Sequence, residues 1–245
     1  MNMKKNYIFL LMLLLLLLSW TIITTATNEQ FPTEKIANIP IIELHPEECY
    51  SYHEFAEQDQ AIQKKASGIW NTITPKINLD DLKIKVTASS TLGKAYQSTN
   101  IIDKKLETAW VEGVKGSGKG EWVKLTLNAK KVSHSSTPFS ISSMGIIPGY
   151  AKNQTTWNEN NRVKTMLVVI YTPASATQEN EWVAFRLFLK DENKLQLFEI
   201  PIDYIAYNFE LMTKTVWFKI EDVYKGTKYD DTCISEIVLR GGCEP

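Results

Sequence analysis

The chain has 245 residues, 27 basic against 28 acidic side chains and a formal net charge of −1, with 44% of its residues apolar. That balance supplies no basic surplus of the kind a nucleic-acid-binding surface needs. Three histidines, at positions 45, 53 and 134, give imidazole general-base catalysis little to work with.

Met1-Asn2-Met3-Lys4-Lys5 opens the chain and leads into an apolar run from Tyr7 that continues to Ile23. A basic start followed by a leucine-rich stretch predicts a secretory signal over 1–26, or an uncleaved membrane anchor. No cysteine follows the run, which argues against a bacterial lipoprotein. Residues 1–26 hold Lys4 and Lys5 and no acid, so without them the charge becomes 25 − 28 = −3. Everything after residue 26 is expected outside the cytoplasm, secreted or in the cell envelope. Any membrane contact would run only through residues 7–23, if they are retained.

Residues 27–46, with Pro32, Pro40 and Pro46, predict an extended linker. Residues 47–72 lack proline and carry apolar residues at helical spacing, predicting one or two short helices. Together, 27–80 is expected to be a linker with a short helical extension, and 81–245 the main domain.

From Lys83 onward the hydrophobic period becomes two. Strands are predicted at 84–88, 121–127, 140–147, 164–171, 182–190, 195–200, 215–224 and 233–240, separated by turn signals such as Pro148-Gly149, Asp191-Glu192-Asn193 and Lys225-Gly226. Strands without long intervening helices predict an all-β antiparallel sandwich or jelly roll. Trp110, Trp122, Trp182 and Trp217 fall at strand positions and read as core.

Within this frame, Gly113 to Lys119 fits the first seven positions of a phosphate-binding loop, G-x-x-x-x-G-K. Gly120 stands where the magnesium-holding Ser or Thr is needed, and Glu121–Leu127 alternates like a strand instead of opening a helix. The glycines therefore predict a wide turn between strands.

Other catalytic signals fail in a similar way. His53-Glu54 lacks the second histidine of H-E-x-x-H, and Ser133-His134-Ser135 lacks a glycine-flanked nucleophile turn. Glu112, Glu121, Asp230, Asp231 and Glu236 cluster in the sequence around loops, and paired carboxylates at ~5–10 Å can hydrolyse glycosides. Capping turns or serving a cation accounts for them as well. Of the three cysteines, Cys233 lies in an apolar stretch and suits a buried thiol. Cys49 and Cys243, in polar segments near the two ends, are the expected disulfide pair, although connectivity is not determined by sequence.

Three segments in order, "TASSTLGKAYQSTNIIDKKLETAWVEGVKGSGKGEW", "IIPGYAKNQTTWNENNRVK" and "KIEDVYKGTKYDDTCISEIVLR", resemble the discoidin superfamily of coagulation factor 5/8 C-type domains. More closely, they are similar to its bacterial branch described as an NADase-type glycan-binding or translocation domain. The resemblance covers about residues 84–240 and implies a galactose-binding-like jelly roll whose ligand sits on loops at one end. Only five residues, Gly241 to Pro245, follow it, so it implies the binding module without an NAD-hydrolysing domain.

The resemblance further implies a structural cation, such as Ca²⁺, where Asn100-Ile101-Ile102-Asp103 and Thr108-Ala109-Trp110 meet Glu236. The implied ligands are Asp103, Thr108 and Glu236. Lys104 and Lys105 replace the usual glycine turn, which strains a left-handed backbone and opposes a divalent charge. Hydrogen bonds to Asp103 and Glu236 are the alternative.

For a ligand, "GYAKNQTTWNENNR" supplies Tyr150, Trp157, Asn160 and Arg162, an aromatic surface with amides and a guanidinium suited to a glycan. Tyr150 and Trp157 packing beneath the loop is the competing arrangement. The expectation is a non-catalytic module recognising carbohydrate or a cell-surface ligand. A structural or protein-interaction domain of the envelope is the alternative, with an enzyme acting on NAD or glycans behind both.

Overall fold

A computed structural model describes residues 29–50, 83–128, 139–174, 179–201 and 214–243. Within Met1–Gln30 only the last two residues are described, while Phe31–Pro245 forms a compact unit of its own. The expected signal segment, residues 51–72 of the expected helices, His53 and His134 all lie outside the described residues. Among the described residues no helix is long and apolar enough to cross a membrane.

The strands are β1 (Ile41–Leu44), β2 (Glu48–Tyr50), β3 (Lys83–Ala88), β4 (Trp110–Val111), β5 (Trp122–Asn128), β6 (Phe139–Pro148), β7 (Asn161–Thr172), β8 (Glu181–Phe188), β9 (Leu195–Glu199), β10 (Lys214–Tyr224) and β11 (Thr232–Cys243). Helix α1 is Gln154–Glu159. One layer runs β1-β8-β7-β10-β5-β3; the other runs β2-β9-β6-β11, with β4 added beside β11. All ladders are antiparallel except β1 with β8 and a two-residue contact between β11 and β7, which links the layers. This is the antiparallel β-sandwich of jelly-roll type that the period-two pattern predicts.

Alternation explains the layering. On β7, Met166, Val168 and Ile170 face the interior, as do Val216, Phe218 and Ile220 on β10. From the opposite layer Met144, Ile146, Phe198 and Leu239 pack against them, and Trp110 lies fully buried among them. Residues pointing the other way, Leu167, Val169, Ala184, Trp122 and Trp217, form a second apolar cluster on the outer face of the six-stranded layer.

That outer cluster corrects the expected linker. Phe31, Ile36 and Ile39 pack on it, and Ile41 continues into β1 at the edge of the six-stranded layer. A 3-10 turn over Thr33–Ile36 follows Pro32, whose fixed φ suits the first position of such a turn. Residues 48–50 are strand β2 on the edge of the other layer, not helix. Two isoleucines between prolines read as linker because the strand they form is only four residues long.

The expected Cys49–Cys243 bond is likewise not formed, for Cys49 is a free thiol. Cys49 pairs with Gln196, Gln196 with Ile146, and Cys243 pairs with Phe139 at the far end of β6. Three strand spacings of ~4.8 Å separate the two backbones before any offset along the strands. A disulfide tolerates no more than ~7 Å between Cα atoms. Cys233, as its apolar surroundings predict, is buried and free, and burial pushes its thiol well above the usual range.

Candidate functional site

The ends of β3, β6, β8 and β10 and the starts of β5, β7, β9 and β11 converge at one end of the sandwich. The connecting segments there are residues 89–121, 149–160, 189–194 and 225–231.

The glycine loop is built around a buried carboxylate. Glu112 is fully buried; its Oε2 accepts from the Val114 amide at 2.8 Å and its Oε1 from the Thr232 amide at 3.2 Å. Thr232 Oγ1 donates to the Ser117 carbonyl at 2.8 Å, tying the loop to β11. Gly116, Gly118 and Gly120 have φ of 108°, 63° and 97°. A methyl at Gly118 would lie 2.6 Å from the Glu112 Cδ, so glycine is required there for space as well as for its backbone. Burial, and then the nearby Asp231 and Glu121, raise the Glu112 carboxyl above its ordinary value. On the other side of the loop, Ser89 Oγ and Ser90 Oγ both donate to Glu121, and the Gly113 amide donates to Ser90 Oγ at 2.9 Å. Strand β5 follows Gly120 almost at once. The loop is turn architecture wrapped on an acid, not a phosphate cradle.

The segment 149–162 corrects the expected ligand surface. Trp157 is 4% exposed and packs with Ile147, Ala151, Leu195 and Leu197. Arg162 is 8% exposed; its guanidinium grips Asp191 through two bonds of 2.9 and 2.7 Å and donates to the Asn160 and Lys225 carbonyls. It also stands 5.9 Å from the Trp157 ring centre. Tyr150 is half-buried, with its hydroxyl donating to the Glu107 carbonyl, and Asn160 is half-buried with its amide on the Thr156 carbonyl. The arrangement in which the aromatics pack beneath the loop is the one the chain adopts. The helix that carries Trp157 is capped by Asn153 and Thr156 in reciprocal bonds, which aim it inward. What sequence reasoning read as a sugar platform is the bracket that holds the loops together.

The exposed apolar side chains lie elsewhere at the same end. Leu92, Val114 and Tyr229 are the large hydrophobics exposed among the described residues, at 49%, 39% and 43%. Each sits on a different connection: after β3, in the glycine loop, and between β10 and β11. All three backbone amides are held: Leu92 donates to the Val111 carbonyl at 3.0 Å, Val114 to the buried Glu112 carboxylate at 2.8 Å and Tyr229 to the Glu159 carbonyl at 2.9 Å. Lys228 Nζ stands 4.8 Å from the Tyr229 ring centre and reaches Glu159 at 3.3 Å. Asn161, fully buried, fixes the base of the Tyr229 loop by donating to the Asp230 carbonyl and accepting from the Gly226 amide. A lone aromatic in the polar turn Lys225–Asp231 is the sequence signal for Tyr229, and it was outweighed by the richer stretch around Trp157.

Asp103, Thr108 and Glu236 do come together. Thr108 Oγ1 donates to both Asp103 oxygens at 2.9 and 2.8 Å, and the Lys104 amide donates to Glu236 Oε2 at 3.1 Å. Lys104 has φ of 63°, the conformation for which glycine is the usual residue, while Lys104 and Lys105 are both exposed. Glu236 is 1% exposed, and burial, with Asp103 adding to it, pushes its carboxyl up to about 9. Among the described residues no group of three or more His, Cys, Asp or Glu is gathered. Two carboxylates, one of them the buried Glu236, and a hydroxyl nonetheless form a hard-oxygen set, and that chemistry fits a calcium-like ion.

Residues 75–240 match the family described as the NAD glycohydrolase translocation F5/8 type C domain. Among solved structures, an F5/8 type C domain of a Bacteroides fragilis protein aligns at 12% identity and TM-score 0.45, covering 69% of this chain and 97% of that one. Chitosan-binding module 2 of a Paenibacillus sp. IK-5 chitosanase/glucanase, solved with chitotriose, aligns at 12% identity and TM-score 0.42, covering 67% and 100%. The CBM32-1 and CBM32-2 domains of Clostridium perfringens ZmpB align at 15% identity and TM-score 0.41, covering 69% of this chain but 36% of that one, so this chain spans about a third of that structure. A search of curated proteins returns no match. With more than half of its length matched, the chain belongs to the NAD glycohydrolase translocation F5/8 type C family.

Proposed function

We propose that this member of the NAD glycohydrolase translocation F5/8 type C family is a non-catalytic recognition module, secreted or held in the cell envelope, that binds a carbohydrate ligand through one end of its sandwich. The observation that carries the reading is the placement of Leu92, Val114 and Tyr229. Three exposed apolar side chains stand on three separate connections of one end, on loops fixed by backbone and buried side-chain bonds. Rigid loops with apolar tips are what a preorganised binding surface needs, because little ordering entropy is lost on contact. Tyr229 offers a ring for a sugar C–H face, and Lys228, Asn158 and Thr227 beside it offer polar groups for hydroxyls. A calcium-like ion held by Asp103, Thr108 and Glu236 would brace the same half of the sandwich.

A glycan array probed with the full chain and with Tyr229→Ala tests this. The wild-type chain is expected to retain at least one glycan, and the variant to lose it while melting within a few degrees of wild type. No glycan retained, or unchanged retention by Tyr229→Ala, would refute the reading.

A further inference from the structure

The connections at the loop end carry nearly equal numbers of lysines and acids, but the two signs are placed differently. In the glycine loop Glu112 is fully buried, and Glu121 accepts from the hydroxyls of Ser89 and Ser90. Around Tyr229, Glu159 pairs with Lys228 at 3.3 Å and Asp230 with Lys225. Asp231 is half-buried, close enough to Glu112 and Cys233 to raise the proton affinity of both. Glu107 is exposed on the Asp103–Thr108 turn, which also presents Lys104 and Lys105. Lys94 and Lys115 are exposed as well, and among the described residues neither has a hydrogen bond or an ion pair.

Both of these lysines belong to the exposed apolar tips. Gly93 is fully extended, with φ of 170° and ψ of 179°, so Leu92 and Lys94 fall on one side of the chain. Lys115 adjoins Val114. The two connections run in direct contact. The Leu92 amide donates to the Val111 carbonyl at 3.0 Å, the Gly113 amide donates to Ser90 Oγ at 2.9 Å, and a methyl at Gly113 would lie 2.6 Å from the Thr91 carbonyl carbon. Tyr229 is tied to the same cluster three residues on, where the Thr232 amide donates to Glu112 and its hydroxyl to the Ser117 carbonyl. Apolar tips and two ammonium groups without counter-charges thus share one surface, while the carboxylates nearest them are buried, hydrogen-bonded or paired.

Given a carbohydrate site at this end, as proposed above, we infer that its ligand is an anionic saccharide, bearing carboxylate or sulfate groups, and that Lys94 and Lys115 select for that charge. Tyr229 and the aliphatic tips meet the apolar faces of sugar rings, and the two ammonium groups attract the acidic substituents. An ammonium is a point charge and suits either acid.

The test is binding of the full chain to three probes that differ only in charge: chondroitin sulfate, desulfated chondroitin, and desulfated chondroitin with its carboxylates methyl-esterified. An array of neutral glycans and vesicles of phosphatidylcholine with phosphatidylserine are run beside them. Wild type is expected to lose at least about fivefold in affinity along the series, at desulfation if sulfate is the group recognised and at esterification if carboxylate is. Lys94→Ala combined with Lys115→Ala, both at exposed positions that leave folding intact, is expected to weaken the charged probes about fivefold at low salt and less as salt rises. The esterified probe should not distinguish that variant from wild type, whereas Tyr229→Ala should weaken all three probes. Equal binding of the three probes, or retention of neutral glycans alone, with either lost on Tyr229→Ala, would overturn the selectivity for charge and leave the carbohydrate site standing. No glycan retained at all would remove both. Charged-probe binding that the lysine variant leaves unchanged, or that survives Tyr229→Ala intact, would also overturn the proposal, as would tighter binding to the vesicles than to any glycan.

Discussion

Replacing Gly118 with alanine probes the central feature of the loop end. The backbone there has φ of 63°, and a side chain in that region costs about 1–2 kcal/mol. The new methyl would also lie 2.6 Å from the Glu112 Cδ and 2.9 Å from its Oε1, so the carboxylate must move. Moving it breaks the bonds from Val114 and Thr232, and stranding buried polar groups costs about 1–3 kcal/mol. The two contributions sum to about 2–5 kcal/mol, which at about 2–4 °C per kcal/mol lowers the melting temperature of a domain this size by roughly 4–20 °C. A double-mutant cycle with Glu112→Ala separates them, because alanine has no Cγ or Cδ to collide with the methyl. In that background Gly118→Ala should cost only its conformational part, giving a coupling of about 1–3 kcal/mol. Urea unfolding of the four proteins measures it. Additivity within about 0.5 kcal/mol would show that the loop is not folded on Glu112 and would refute the reasoning.

Trp157→Ala should destabilise the fold by about 3–5 kcal/mol, seen in thermal melts, because it empties a buried site instead of trimming a surface. Lys104→Gly should raise the melting temperature by about 2–4 °C, since the φ of 63° then carries no side chain. For Glu236 the folded carboxyl is raised to about 9 from an ordinary 4.5, so the ion-free folded state holds a proton that the unfolded state has lost between those values. Without added cation, stability should therefore fall as pH rises from about 4.5 to 9, and Glu236→Gln should flatten that slope. If Asp103, Thr108 and Glu236 hold Ca²⁺, the ion must displace that proton, so the calcium-induced rise in melting temperature should grow from pH 5 to pH 9. An identical shift at both ends of that range would count against Glu236 as a ligand.

The sequence carried the sandwich because its long strands alternate cleanly. All of the segments predicted from Ile84 to Arg240 are strands, with ends moved by no more than three residues. Strand β4 escaped notice because two residues, Trp110 and Val111, contain no period. Strand β1 escaped because Ile41 and Ile42 face opposite clusters, so the segment reads as an isolated apolar pair. Lys104 was legible in both its parts: the expected glycine position is left-handed, and the lysine occupies it. The ligand surface was misread for a physical reason. An aromatic, two amides and an arginine look the same in sequence whether they serve a sugar or brace each other. Only the burial of Trp157 and the grip of Arg162 on Asp191 separate those roles. Arg162 and Asp191 lie 29 residues apart, a distance at which no local pattern announces the pair.

Hydrogen exchange of the full chain, with and without a glycan retained on the array, tests most directly whether the loop end is the recognition surface. The account predicts slowed exchange in residues 89–93, 113–120 and 225–231, with the strands beneath them unchanged. Protection confined to 173–174 and 179–180 at the opposite end, with none around Leu92, Val114 and Tyr229, would contradict it.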